Sequence, residues 1–127
     1  MAGAENRKRA ERRGRRAEML CVLALRLKGY AIVARRHVSG RGLGAGEIDI
    51  VARRGSRLAF VEVKARPTLA QAAEAVGRHQ RRRLGRAAAA FLARRPELAG
   101  LAARFDVMLV APWRWPRHMI DAWRDEA

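Results

Sequence analysis

The stretch GEIDIVARRGSRLAFVEVKAR, residues 46–66, decides how the rest of the chain is read. Two apolar-rich runs flank the turn triplet Arg54-Gly55-Ser56, so Glu47–Arg53 and Arg57–Ala65 are expected as paired strands. Side chains alternate faces along a strand. Leu58, Phe60, Glu62 and Lys64 therefore share one face of the later strand, and Ala59, Val61, Val63 and Ala65 the other. On the earlier strand Glu47, Asp49 and Val51 share a face, opposite Ile48, Ile50 and Ala52. A tight hairpin brings Asp49 beside Glu62 and Lys64. Three acids thus fall in the apolar middle of a chain that holds 28 Lys and Arg but only 12 Asp and Glu. A buried carboxylate is costly unless a cation or strong donors compensate it. Either these acids are satisfied structurally, or they hold something.

Outward from the hairpin, residues from about Ala4 to Lys28 read as a helix, with Ala17, Leu20, Cys21, Ala24 and Leu27 as its apolar stripe and Glu18 beside that stripe. Gly29 ends it. Tyr30–Val38 reads as a first strand. The segment SGRGLGAG that follows lacks the Gly-Lys-Ser/Thr of a phosphate loop and reads as a flexible connection. A second helix spans about Gly77–Arg94, with Leu84, Ala87, Ala88, Phe91 and Leu92 on one face and Arg78, Arg81, Arg82 and Arg86 on the other. Pro96 closes it. Arg104–Val110 is a fourth strand, and the tryptophan-rich tail after Pro112 is expected to add a short edge element. Helix, three strands, helix, strand makes an α/β layered domain with a mixed sheet. The 127 residues suggest one domain, with residues 1–13 a basic end open to fraying.

The formal net charge is +16, and only Lys8, Lys28 and Lys64 are lysine. Such a chain is drawn to polyanions, nucleic acid first. The arginine and alanine bias is also what a GC-rich coding sequence produces, so part of the charge says nothing of function. Against that background Lys64, two residues after Glu62, stands out, because arginine does not replace a compact ammonium. The lone Cys21 allows no internal disulfide, and no zinc-type spacing exists. No apolar run is long enough for a transmembrane helix and no secretory signal is visible, so the cytoplasm is the default expectation.

Two carboxylates with a main-chain carbonyl and waters suit a hard cation, above all Mg²⁺. Such an ion polarises a phosphoryl oxygen and acidifies an attacking water, and an adjacent lysine offsets charge developing on phosphorus. The structural alternative pairs Asp49 and Glu62 with Lys64 or nearby arginines, and the alternation alone leaves both open. Glu47 is expected in a salt bridge rather than as a further ligand. Asp106 is expected to hydrogen-bond a neighbouring loop. His37, His79 and His118 form no metal triad and are expected at the surface. The tryptophans are expected to close the edge of a small core, with base stacking as the alternative.

Asp49 followed by Glu62-Val63-Lys64 resembles the PD-(D/E)XK nuclease signature, with Ile48-Asp49 in place of its Pro-Asp. More closely, the chain resembles the YraN-like family of small bacterial proteins, through Gly14-Arg15-Arg16-Ala17-Glu18, Gly29-Tyr30, Gly46-Glu47-Ile48-Asp49, Phe60-Val61-Glu62-Val63-Lys64 and Arg104-Phe105-Asp106-Val107. That family resembles restriction endonucleases and archaeal Holliday-junction resolvases. The resemblance implies an αβββαβ restriction endonuclease-like fold, Asp49 and Glu62 as metal ligands and Lys64 as the catalytic lysine. It also suggests that Glu18 reaches the same site, through water. Where relatives often carry lysine on the second helix, this chain has Gln80, taken with Glu47 as support behind the ligands. Arg35, Arg78, His79, Arg81, Arg82 and Arg86 are expected to meet nucleic acid, DNA above all. The function expected is a Mg²⁺-dependent nuclease, with Mn²⁺ as substitute metal. The alternatives are a nucleic-acid-binding protein that keeps the fold without turnover, and a partner-binding assembly factor. A homodimer is left open as a partner and a membrane is not expected.

Overall fold

The computed structural model describes residues 2–36, 48–75 and 77–123. Its elements are α1 (Ala2–Leu27), β1 (Ala31–Arg35), β2 (Ile50–Arg54), β3 (Arg57–Ala65), α2 (Leu69–Glu74), α3 (Arg78–Ala93), a 3-10 turn (Pro96–Leu98), β4 (Ala102–Val110) and β5 (Arg117–Trp123). The five strands form one mixed sheet in chain order, β1-β2-β3-β4-β5. All neighbours are antiparallel except β3 and β4, which the α2–α3 connection makes parallel. Helices flank both faces, an architecture consistent with a restriction endonuclease-like fold.

The alternation along β3 sorts the two layers. Ala59 and Val61 pack with Ile50, Ala52 and Met108 against Cys21, Val22, Ala24 and Leu25 of α1. Leu58 and Phe60 face the other way, with Val51 and Phe105 against Leu84, Ala87, Ala88 and Phe91 of α3. Burying a side chain of Leu or Phe size stabilises by about 1.5–3 kcal/mol each, so these two clusters hold the sheet between its helices. The α3 stripe is thus the one its periodicity predicts. On α1 the stripe is rotated: Val22 and Leu25 are core, while Leu27 is exposed on the opposite side of the same last turn. The helix continues through residues 2–13.

Gly29, after α1, has φ 92, and Gly55 has φ 61 in the two-residue loop between the paired Arg54 and Arg57. Both lie in the left-handed region that favours glycine. β1 and β2 are shorter than expected. Val38 and Glu47 fall outside the described residues, as does the glycine-rich connection between them. The helix α2, absent from the expected order of elements, is six residues capped by the Thr68 hydroxyl, which accepts from the Gln71 N–H at 3.1 Å. The expected edge element is β5, and its Trp123 closes the core, stacked on Phe105 with ring centroids 5.4 Å apart.

Candidate active site at the end of the hairpin

The β2–β3 ladder ends at the pair Ile50↔Val61. Continued in register, it would set Asp49 directly opposite Glu62, and like charges so placed destabilise a sheet. Asp49 instead lies in a bend before β2. Its carboxylate Oδ2 accepts the backbone N–H of Val63 at 2.8 Å. The side chain thereby supplies the acceptor that a continued ladder would have taken from the backbone. The bend also ends the alternation: Ile48 packs on the α3 side with Val51, not with Ile50 as expected.

Ion pairs occupy this end of the hairpin. Arg36 Nη1 lies 3.1 Å from Asp49 Oδ1. Lys64 Nζ lies 3.2 Å from Glu62 Oε1, as their shared strand face requires. Asp49 and Glu62 are both buried. Burial first, and the neighbouring Asp49 charge second, push the Glu62 carboxyl up to about 7 despite the opposing pull of Lys64 and Arg36. A buried acid whose charge is disfavoured by burial and by a second acid beside it makes a place where added positive charge is favoured.

Glu18 lies on the buried side of α1. Its Oε1 is 3.8 Å from Arg35 Nε, so the structure puts Arg35 beside an acid. One turn on, the Cys21 thiol is pushed up to about 12 by burial and then by the charges of Asp49 and Glu18. That shift marks both acids as neighbours of the same thiol and leaves Cys21 an inert core residue. Among the described residues no three His, Cys, Asp or Glu side chains draw together as a ready metal cluster. Two carboxylates still fit Mg²⁺, which commonly takes one or two and completes its shell with water. The Asp49 Oδ1 that such an ion would use is the oxygen on which Arg36 sits.

Arg81, Arg82 and Arg86 are exposed on α3. The Arg81 guanidinium lies over the Trp123 ring, 5.6 Å from its centroid. Arg78, His79 and Gln80 open α3, but their side chains lie outside the described part of the structure. A cleft of about 550 Å³ opens beside α3, between Ala88 and Leu92 on the helix and Phe105 and Trp123 on the strands, and none of the proposed acids lines it.

A second buried polar cluster lies across the sheet. Arg104 grips Asp106 with Nε to Oδ1 and Nη2 to Oδ2, both 2.8 Å, and its Nη2 also donates to the Tyr30 hydroxyl at 2.6 Å. His118 Nε2 is 2.7 Å from Asp106 Oδ2, and Lys28 Nζ is 2.9 Å from His118 Nδ1. The Asp121 N–H donates to Asp106 Oδ1 at 3.0 Å. Asp106 is thus hydrogen-bonded, but to side chains and backbone of β4 and β5 and not to a neighbouring loop as expected. His118, expected at the surface, is instead enclosed, with 2% of its side chain exposed, between Asp106 of β4 and Lys28 just after α1. Trp113 and Trp115 remain exposed.

The sequence pattern of the Uncharacterised protein family UPF0102 matches residues 17–110. Similar proteins include the UPF0102 protein amb4503 of Paramagnetospirillum magneticum, 65% identical over 91% of this chain and 89% of that protein. A UPF0102 protein of Parvibaculum lavamentivorans is 59% identical over 91% and 84%. One of Methylobacterium nodulans is 53% identical over 94% and 89%. The YraN-like resemblance read from the sequence is this same family. Among the described residues no helix is long and apolar enough to cross a membrane.

Proposed function

The chain belongs to the uncharacterised protein family UPF0102, and from that premise we propose that it is a Mg²⁺-dependent nuclease that hydrolyses phosphodiester bonds in DNA. The observation that carries the reading is the meeting of Asp49 with Glu62 and Lys64 where the β2–β3 ladder ends. Asp49 and Glu62 would hold the ion, with Glu18 contributing through water. When bound, such an ion supplies Lewis-acid stabilisation of a phosphoryl oxygen and a water acidic enough to attack near neutral pH. Lys64 carries the ammonium of the site. Its amine orients the attacking water and offsets charge at phosphorus. The exposed arginines of α3 gather the polyanion, and the acids attract the metal that this basic surface would otherwise repel.

One observation favours a second reading. Arg36 and Lys64 already pair the two acids, as they would in a nucleic-acid-binding protein without turnover. A cleavage panel separates the two. Linear, flapped, single-stranded and four-way DNA are incubated with Mg²⁺, Mn²⁺ or EDTA. The nuclease reading expects metal-dependent products from the wild type. It expects none from Glu62→Gln or Lys64→Ala, with their DNA affinity nearly intact. Products from either variant at the wild-type rate would remove the mechanism. Binding without products in every metal would favour the second reading.

A further inference from the structure

We infer that Arg36 is the resident counter-cation of Asp49, the group that a divalent ion must displace on entering the site. The inference rests on the reading of Asp49 and Glu62 as metal-holding acids. Asp49 is not free to turn its carboxylate away, because the Val63 N–H holds Oδ2 at 2.8 Å. That leaves Oδ1, and Arg36 Nη1 sits on it at 3.1 Å. The Arg36 backbone N–H also donates to the Asp49 carbonyl oxygen at 3.1 Å, so the arginine is anchored beside the acid it neutralises.

Glu62 has a cation of a different kind. The Lys64 side chain is 11% exposed, and that of Arg36 is 44% exposed. Lys64 is therefore enclosed with its acid, whereas Arg36 can swing into water without becoming a buried unpaired charge. A guanidinium stays charged at any working pH, so it leaves Asp49 by displacement and not by losing a proton. A hard divalent cation seeks the same carboxylate oxygen. In the metal-free protein Arg36 thus keeps the site's charges balanced. In the metal-bound protein its guanidinium is released beside the acids, where an anionic ligand can take it.

The test is Mn²⁺ titration of the full chain, with free ion counted by electron paramagnetic resonance. Arg36→Gln and Arg36→Ala are expected to tighten Mn²⁺ binding by about tenfold, the order of one close unit-charge interaction. Arg36→Lys, which keeps the charge, is expected to stay near wild type. Arg53→Gln removes the same charge from an exposed arginine that donates to the Gly55 carbonyl. At the far end of β2 it lies on the order of a Debye length from Asp49 and is expected to change little. In EDTA, Arg36→Gln is expected to melt below the wild type and to gain more than it on addition of Mn²⁺. Equal Mn²⁺ affinity in wild type and Arg36→Gln would overturn the role of Arg36 and leave the acids as ligands. Equal tightening in Arg53→Gln would reduce the effect to the general field and overturn it too. No Mn²⁺ binding by any of these proteins would overturn the metal reading itself, and the inference with it.

Discussion

Asp49 occupies the position that a continued ladder would set opposite Glu62, yet its carboxylate reaches the backbone N–H of Val63, at 2.8 Å. Asp106 does the same at the other side of the sheet. Its Oδ1 accepts the N–H of Asp121, where β5 bulges and φ reaches 53. Each acid replaces a missing ladder acceptor. They differ in the side chains that close them off. Asp106 is enclosed among Arg104 and His118, while Asp49 is closed off by the half-exposed Arg36.

Asp49→Asn isolates the charge of that residue. Asparagine keeps an oxygen for the Val63 N–H, removes one negative charge and frees Arg36. DNA binding in EDTA is expected to tighten by roughly 1 kcal/mol, the scale of one close unit-charge interaction in a watery site. Ca²⁺ added to the wild type should recover the same gain, since it takes oxygen ligands. A folded variant whose affinity in EDTA does not rise, beside a wild type indifferent to Ca²⁺, would show that these acids do not face a phosphate.

Affinity for duplex DNA should fall steeply with salt. Arg81, Arg82 and Arg86 are exposed on one helix, and each phosphate neutralised contributes about 0.9 to the log–log slope. The triple change to glutamine should flatten the slope by between about 2 and 3. A slope unchanged by it would move the nucleic-acid surface away from α3.

The Glu62 carboxyl, pushed up to about 7, dictates a direction with pH. The folded protein holds this proton more tightly than the unfolded chain, whose carboxyl titrates near 4.5. The group's contribution is therefore most favourable below pH 4.5 and is lost as pH rises to 7. Glu62→Gln should melt closer to the wild type, or above it, at pH 8 than at pH 4.5. At 1.36 kcal/mol per unit the change is bounded by about 3 kcal/mol. A difference in melting temperature between the two proteins that stays constant across this range would contradict the assignment.

Asp106 runs the opposite way. Burial raises its carboxyl, but the hydrogen bonds from His118, Arg104 and the Asp121 N–H outweigh that and hold it below the usual range. Its stabilisation is present above the ordinary carboxylate pKa and is lost as acid protonates it. Asp106→Asn strands Arg104 and should cost on the order of 3–5 kcal/mol at pH 7, measured by denaturant melts. The deficit should shrink toward acid. A variant as stable as wild type at pH 7 would show the cluster to be incidental.

What the sequence made legible follows from the range of each signal. The β3 faces and the α3 stripe are local patterns carried by consecutive turns of chain, and they were readable. Asp49 was placed beside Glu62 by the hairpin, but its bend was not readable, because the bend depends on a bond to the Val63 N–H of the neighbouring strand and not on a period within its own. His118 was misplaced because its partners, Asp106 and Lys28, lie 12 and 90 residues away. α2 escaped because LAQAAE is too short to show a helical period. Arg36 carried no signal among so many arginines. Its contact with Asp49 is a product of the fold.

Two of the three lysines make single-point contacts in which an amine meets one ring nitrogen or one carboxylate oxygen: Lys28 on His118 and Lys64 on Glu62. Lysine brings a compact ammonium to each of these contacts. In a chain otherwise armed with arginine, amine chemistry therefore has very few targets. Reductive ¹³C-methylation of Lys8, Lys28, Lys64 and the N-terminus would give a handful of NMR signals. One of them would report on the proposed active site and another on the buried network across the sheet, so the two halves of the molecule could be followed separately in one spectrum as metal or DNA is added.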